Sequence, residues 1–183
     1  MSPFGMAIVV PTLELFANEF QSSYSSIQFI ISAYLFGLAM AQPFMGFLSD
    51  KLGRKPVMIS GIILFIIASY ICMTSETLST LIIARLFQGV GASVGTVTSR
   101  AIIRDSYSGD EAAKSLSRVT ATMGMAPMIA PVVGAIALSI LRSPSGIFLI
   151  TLLIGFFILI PVIFFLPETV IKDNSEKTRT AWY

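Results

Sequence analysis

Residues 46–56 read GFLSDKLGRKP and separate two long apolar runs. No Lys or Arg precedes Lys51, and residues 57–74 contain no charged side chain. A short polar connector between two such segments indicates a loop at a membrane face. Because the connector carries Lys51, Arg54 and Lys55, the positive-inside rule predicts that it lies on the cytoplasmic side.

The composition points to a membrane protein. The 183-residue chain is 55% hydrophobic and 12% charged, whereas soluble domains carry about 25% charged residues. A soluble fold of this size has too little interior to bury so much apolar surface, so the lipid bilayer is the expected solvent. The net charge of +2 gives no indication of nucleic-acid binding. The chain has no His and one Cys, which disfavours His-based catalysis, a metal site and disulfides.

Six apolar segments are candidates for membrane-spanning helices, each of which needs about 20 residues. They lie at about residues 3–18, 27–48, 57–74, 78–100, 111–141 and 146–166. The first is short and contains Pro11. The fifth is too long for one crossing, so its first turns are expected to project into the cytoplasm. The predicted fold is therefore an all-α membrane protein, with a six-helix bundle at residues 1–167 and a polar cytoplasmic tail at 168–183.

The cations alternate between the connectors. One group lies between helices two and three, a second flanks the connector between helices four and five, and a third lies in the tail; these are Lys51, Arg54 and Lys55, then Arg100, Arg104, Lys114 and Arg118, then Lys172, Lys177 and Arg179. The other connectors hold only Arg142, beside Glu19 and Glu76. This asymmetry predicts a multi-pass protein of the cell inner membrane with both termini in the cytoplasm.

Arg85 is the most informative single residue, because it lies inside the fourth predicted helix. An arginine within a span costs about 2.5 kcal/mol or more, so it is expected to face a polar cavity or a partner. Gln88 and Gly89 follow it by three and four residues, on the same helix face. The alternative is that Arg85 extends to the outer interface, since only some seven residues, about 10 Å of rise, separate it from the helix end.

The fifth predicted helix carries a row of small residues, Ala126, Ala130 and Gly134, with Pro127 and Pro131 between them. Small residues at this spacing let two helices approach closely, and prolines bend a helix. Helix two has a similar row at positions 33, 37 and 41, so the two rows are candidates for a moving seam. Plain helix packing is the alternative.

Asp50 and Arg54 are four residues apart and are candidates to pair across the connector, which would hold helices two and three in one arrangement. The alternative is a solvated turn, because exposed pairs contribute little. The sequence has no phosphate-binding glycine loop ending in Lys-Ser or Lys-Thr. It also shows no pair of acids and no serine-base arrangement at one membrane depth, so an enzyme is not expected.

These motifs resemble those of the major facilitator superfamily. Residues Gly46 to Lys55 match its loop signature G-x-L-A/S-D-x-x-G-R-K/R, with Gly53 at its second glycine. The run Arg85-Leu86-Phe87-Gln88-Gly89-Val90-Gly91-Ala92 is similar to its helix-four motif. Residues 126–135 are similar to its helix-five antiporter motif. The run at residues 99–105, with Leu166-Pro167-Glu168-Thr169, resembles the Bcr/CflA drug-resistance branch.

The resemblance implies one fold and one mechanism. The fold would be the N-terminal six-helix half of a twelve-helix transporter, built from two inverted three-helix repeats. The function would be proton-coupled efflux of small hydrophobic drugs by alternating access, with the proton as coupling ion and no other cofactor. Transport and coupling would depend on Arg85, Gln88 and Gly89.

The resemblance also assigns roles to the two other motifs. Gly46, Asp50, Gly53, Arg54 and Lys55 would form a cytoplasmic conformational latch. The helix-five bend would involve Ala126, Pro127, Ala130, Pro131 and Gly134. One departure is that relatives usually carry an acid a few residues before the proline matching Pro11, where residues 6–10 read MAIVV.

Two other functions remain open at this point. The chain would have to form a homodimer, or pair with a separate six-helix half, to enclose a substrate path. If it does neither, it is a non-transporting remnant or a membrane-embedded partner module. A third possibility is import of a small solute, because importers share the loop signature.

Overall fold

The computed structural model describes residues 2–167, and within that range every regular element is a helix and none is a strand. The predicted tail at 168–183, and the last two residues of the Leu166–Thr169 motif, lie outside the described residues. The elements are α1 (Ser2–Ala7), a 3-10 turn (Val10–Thr12), α2 (Leu13–Glu19), α3 (Tyr24–Ile27), α4 (Phe29–Leu52), α5 (Arg54–Met73), α6 (Leu78–Ser106), α7 (Gly109–Leu141) and α8 (Gly146–Phe165).

Five helices in the described range are long and apolar enough to cross a membrane. They are Tyr24–Leu52, Arg54–Met73, Leu78–Ser106, Gly109–Leu141 and Gly146–Phe165. The first of these comprises α3 and α4 together. Large apolar side chains point outward from them, such as Phe157 at 79% and Phe164 at 76% exposure. Such a surface is unfavourable in water, and with five helices long enough to span a bilayer the predicted all-α membrane fold is confirmed.

The first predicted crossing is an interrupted segment instead of one helix. Its two short helices, α1 and α2, flank the 3-10 turn at Pro11. Proline has no amide hydrogen and blocks the regular helical ladder. The Thr12 hydroxyl donates to the Val9 carbonyl at 2.8 Å, which satisfies an acceptor near the break. Ile8, Val9 and Phe16 are fully buried, so the segment forms part of the core despite its irregular backbone.

Residues 46–56 are not an extended loop, which corrects the prediction from the sequence. Residues 46–52 complete α4, α5 begins at Arg54, and Gly53 alone lies between the two helices. Gly53 has φ 107° and ψ 154°, a conformation that glycine adopts without a steric penalty. The charged residues of the stretch therefore lie on the last turn of one helix and the first turn of the next, in fixed relative positions.

Helix α6 lies at the centre of the bundle. In its most apolar 18-residue window 56% of the residues are buried, against 17% for α7. Two glycines bring α4 and α6 into backbone contact. A Cβ at Gly37 would overlap the Leu86 carbonyl, and one at Gly89 would overlap the Tyr34 carbonyl. Gly37, one of the small residues predicted on helix two, therefore lets α4 pack closely against α6.

Helix α7 packs against the first segment. A Cβ at Gly134 would lie 2.5 Å from the carbonyl oxygen of Ile8, and Ala130 and Ala137 are buried on the same side. The small-residue row of α4 (predicted helix two) and that of α7 (predicted helix five) thus contact different neighbours. With 33 residues, α7 is about 50 Å long, at about 1.5 Å per residue, and extends beyond a hydrocarbon core of about 30 Å.

Candidate functional site

Arg85 is fully buried, at 0% exposure. It lies on α6 two turns from Leu78 and faces the middle of the bundle. Its side chain therefore does not extend to the outer interface, and it is enclosed by the helices packed around α6.

Three groups accept hydrogen bonds from the Arg85 guanidinium. Nη1 donates to the Gly5 carbonyl at 3.0 Å and to Gln88 Oε1 at 2.6 Å, and Nε donates to the Ile30 carbonyl at 3.3 Å. Nη2 is buried and has no hydrogen-bond partner among residues 2–167. The side chain therefore connects α6 to α1 and α4 and leaves the two N–H donors of Nη2 unused.

Aromatic rings complete the surroundings of the charge. The Arg85 Cζ atom lies 4.3 Å from the centroid of the Tyr34 ring and 5.9 Å from that of Phe148. The Tyr34 hydroxyl donates to the Ser2 carbonyl at 2.9 Å, which fixes the ring in place. Cation–π attraction is worth about 2 kcal/mol in a desolvated site.

No Asp or Glu in the described part of the chain forms an ion pair with Arg85. The positive charge is held by carbonyl dipoles, an amide oxygen and ring faces only. A buried charge without a counter-ion is costly, and an intramembrane charge of this kind is by default a candidate functional group.

Gln88 and Gly89 lie beside Arg85, as their spacing predicts. Gln88 is fully buried, and its Nε2 donates to Ser69 Oγ at 2.7 Å and to Thr151 Oγ1 at 3.3 Å. Gly89 makes the close contact with α4 described above. Sequence reasoning missed Ser69 and Thr151, for which the only signal was a small polar residue inside an apolar run.

The second cluster surrounds Arg54. Arg54 forms an ion pair with Asp50, and its Nε donates to Asp105 Oδ2 at 3.0 Å. Its Nη1 donates to Ser49 Oγ at 2.7 Å, and the Ser49 hydroxyl donates to the Gly46 carbonyl at 3.0 Å. The structure thus shows the Asp50–Arg54 pair and adds Asp105, from the end of α6, which the sequence analysis did not select.

Exposure differs among these three ionised groups. The Arg54 side chain is 10% exposed, against 64% for Asp50 and 32% for Asp105. Gly46 and Lys55 are half-buried nearby. A cleft of about 250 Å³ adjoins the cluster and is lined by Gly46, Asp50, Arg54, Val97, Ala101, Arg104 and Asp105. Asp50 therefore has carboxylate surface available to a further partner.

Helix α6 carries parts of both clusters. Asp105 follows Arg85 by 20 residues, which corresponds to about 30 Å along a helix. This is the thickness of a bilayer core. The two clusters therefore lie at well-separated depths of one rigid element.

The helix-five motif lies apart from both clusters. Pro127 and Pro131 are inside a continuous α7, with Pro127 exposed, and Ala130 and Gly134 face the first segment. Ala126 lines a cavity of about 320 Å³ with Pro3, Arg118, Val119, Thr122 and Met123. Residues 2–167 contain no group of three or more His, Cys, Asp or Glu side chains placed to hold a metal ion.

Comparison with known proteins gives a consistent result. A family model described as Major Facilitator Superfamily matches residues 1–182. The chain is 33% identical, over 187 residues, to multidrug resistance protein MdtL of Vibrio parahaemolyticus, covering 97% of this chain and 46% of MdtL. It is 34% identical, over 169 residues, to riboflavin transporter RibZ of Clostridioides difficile, covering 92% of this chain and 36% of RibZ.

A solved structure supports the same fold. The human organic anion transporter MFSD10 superimposes with a TM-score of 0.72 at 19% identity, covering 92% of this chain and 45% of that one. The chain thus spans less than half the length of each of these three proteins, between 36% and 46%.

Proposed function

The chain belongs to the major facilitator superfamily, and on that premise we propose that it forms one half of a proton-coupled multidrug exporter in the cell inner membrane. The observation that carries the proposal is Arg85, a full charge buried among apolar helices without an acidic partner in the described range. Such groups mark substrate or proton pathways. The multidrug resistance relative supports the choice of drugs as substrates.

The proposed exporter needs a second six-helix half, because this chain spans about half the length of its relatives. That half would come from the same polypeptide, from a separate one or from a second copy. The substrate path would close between the two halves, which would rock against each other in alternating access. The cation distribution supports an arrangement with both termini in the cytoplasm.

Arg85 is well placed to couple movement of several helices. Its donors bind backbone carbonyls of α1 and α4 from a position on α6. Any event that draws the guanidinium away must break these bonds together, so the three helices respond as a unit. Since no carboxylate among residues 2–167 pairs with Arg85, we propose that the proton-carrying acid lies outside this range.

The Arg54 cluster is the proposed latch. Arg54 ties the α4–α5 turn to the end of α6 through Asp105, while Asp50 remains 64% exposed and available to the second half. Exposed ion pairs are worth about 0–1 kcal/mol each. That is small against folding but large enough to bias two conformations several-fold.

The cavity beside α7 is the proposed part of the drug path in this half. Its volume, about 320 Å³, is at the low end of ligand pockets, which span about 300–1,000 Å³. Pro3, Met123 and Ala126 give it an apolar lining, with Arg118 and Thr122 as polar groups. This combination suits a small hydrophobic molecule with one or two hydrogen-bonding groups.

Reconstituted transport tests the proposal. The chain is placed with its second half in proteoliposomes, and uptake of a fluorescent hydrophobic drug is followed after a pH gradient is imposed. Gradient-dependent movement that Arg85→Ala abolishes and the exposed control Arg100→Ala retains is the expected result. No drug movement, with every form of the second half supplied, would refute the exporter and leave a remnant or a partner module.

A second candidate function is transport of a small nutrient. The riboflavin transporter RibZ is as similar to this chain as MdtL is, at 34% against 33% identity. The same proteoliposomes distinguish the two candidates. Saturable movement of riboflavin without movement of hydrophobic drugs would favour the second candidate.

A further inference from the structure

A buried chain of hydrogen bonds runs from Arg85 through Gln88 to hydroxyls on two other helices. Gln88 Oε1 accepts from Arg85 at 2.6 Å, and Gln88 Nε2 donates to Ser69 on α5 and to Thr151 on α8. Arg85, Gln88 and Ser69 are fully buried and Thr151 is 1% exposed. Bulk water therefore cannot reach these groups and replace any of the bonds.

The two hydroxyls fix the orientation of the Gln88 amide. A hydroxyl has one hydrogen, and both hydroxyls use theirs on their own helix. Ser69 Oγ donates to the Phe65 carbonyl at 2.7 Å, and Thr151 Oγ1 donates to the Phe148 carbonyl at 2.9 Å. Each is thus left as an acceptor, so the Gln88 group facing them must be the NH₂ group. The amide oxygen then faces Arg85, the only orientation in which every bond pairs a donor with an acceptor.

We propose that Ser69 and Thr151 are positioning residues that hold the Gln88 oxygen against the Arg85 guanidinium. The inference rests on the proposed role of Arg85 in transport. Arg85 itself connects α1, α4 and α6, and the proposed contacts of Gln88 add α5 and α8 to the helices connected to Arg85. A displacement of Arg85 would then reach both helices through one amide, without contact between Arg85 and either hydroxyl.

The two hydroxyls are partly redundant. The bond to Ser69 is 2.7 Å and that to Thr151 is 3.3 Å, so Ser69 is the stronger anchor. Loss of one leaves the amide held by the other. Loss of both leaves the NH₂ group without an acceptor and removes the restraint on rotation of the amide, which weakens the bond that its oxygen accepts from Arg85.

Nuclear magnetic resonance of the full chain, labelled with ¹⁵N-arginine in lipid nanodiscs, tests the inference directly. The Arg85 side-chain signals are assigned by their loss in Arg85→Lys. Ser69→Ala should shift them more than Thr151→Val does. The double variant should shift them as far as Gln88→Leu. Thr151→Ser, which keeps the hydroxyl, should restore the wild-type signals.

A matched control separates positioning from general loosening. Ser93 is also buried on α6, and its hydroxyl donates to the Val90 carbonyl at 2.7 Å, within its own helix. Ser93→Ala should leave the Arg85 signals unchanged. Arg85 signals unchanged in the double variant would overturn the inference. If the double variant does not fold, Ser69→Ala against Ser93→Ala decides, because Ser69 is the stronger acceptor for Gln88 and Ser93 does not contact the amide; equal Arg85 signals in the two would overturn the inference.

Transport by the same variants distinguishes failure of the inference from failure of the proposed function. In the complete transporter, the double variant should lower the maximal drug flux at least tenfold and leave the drug concentration for half-maximal flux unchanged. If the Arg85 signals move in the double variant but the wild-type transporter shows no drug flux, the positioning is supported and the exporter is refuted. Normal flux together with unmoved signals refutes the positioning alone.

Discussion

Replacement of Arg85 by methionine should abolish transport while leaving the bundle folded. Methionine approximates the length of the arginine stem and carries no charge or donor. The variant removes three hydrogen bonds, to Gly5, Ile30 and Gln88, and the contact with Tyr34. It also removes the cost of burying a charge that has no acidic partner among residues 2–167.

The opposing contributions are similar in size. Hydrogen bonds from a charged donor contribute about 1.5–3 kcal/mol each, so three give about 4.5–9 kcal/mol, and the ring contact adds about 2 kcal/mol. Against this, burial of the ion costs several kcal/mol, and the unpartnered Nη2 costs about 1–3 kcal/mol more. Because the two sets of contributions have opposite signs, the free energy of unfolding of Arg85→Met should change by less than the sum of either set.

Thermal unfolding in detergent and proteoliposome flux are measured on the same preparations. Arg85→Met should give a single unfolding transition near that of the wild type and no detectable flux. Arg85→Lys keeps the charge but lacks the planar fork that reaches three acceptors, so it should fold and transport poorly. An Arg85→Met protein that does not insert or unfolds far below wild type would show that Arg85 is a structural group, and the reasoning would be wrong.

Three further predictions concern packing, the latch and the drug path. Gly89→Val should cost more than about 3 kcal/mol, because its side chain meets the α4 backbone, whereas Gly95→Ala, with open space beside it, should be neutral or stabilising in the same unfolding assay. Asp105→Asn should lower stability by about 1 kcal/mol at low salt and less at high salt; equal losses at both would refute its ion-pair role. Met123→Trp should reduce drug flux by filling the cavity beside α7, while Val132→Trp, at an exposed position outside that cavity, should not, and equal flux in both would remove the cavity from the path.

The long helices could be predicted from the sequence because apolar run length sets the crossing directly. The ends of the helices could not. Helix α5 begins at Arg54, before its apolar run, and α6 continues to Ser106, beyond its apolar run, because backbone hydrogen bonding persists in polar surroundings. The first segment was the least predictable element, since its irregular backbone around Pro11 is sustained by burial against other helices.

The candidate site was predictable in its anchors and not in its partners. Arg85 was evident because a charge inside an apolar run is costly. Its acceptors on Gly5 and Ile30 are backbone carbonyls, which every residue carries and no sequence pattern marks. Asp105 lies 51 residues from Arg54, so their pairing arises from the packing of α6 against the α4–α5 turn.

The central claim is that these helices cross a membrane with the Arg54 cluster on the cytoplasmic side and Arg85 within the bilayer. Single cysteines at two exposed positions, Lys51→Cys and Glu76→Cys, introduced into a Cys72→Ala background, test it in intact cells with an impermeant maleimide. The account predicts rapid labelling at position 76 and labelling at position 51 only after the cells are opened. Labelling at 51 with protection at 76, or equal labelling of both in intact cells, would contradict it.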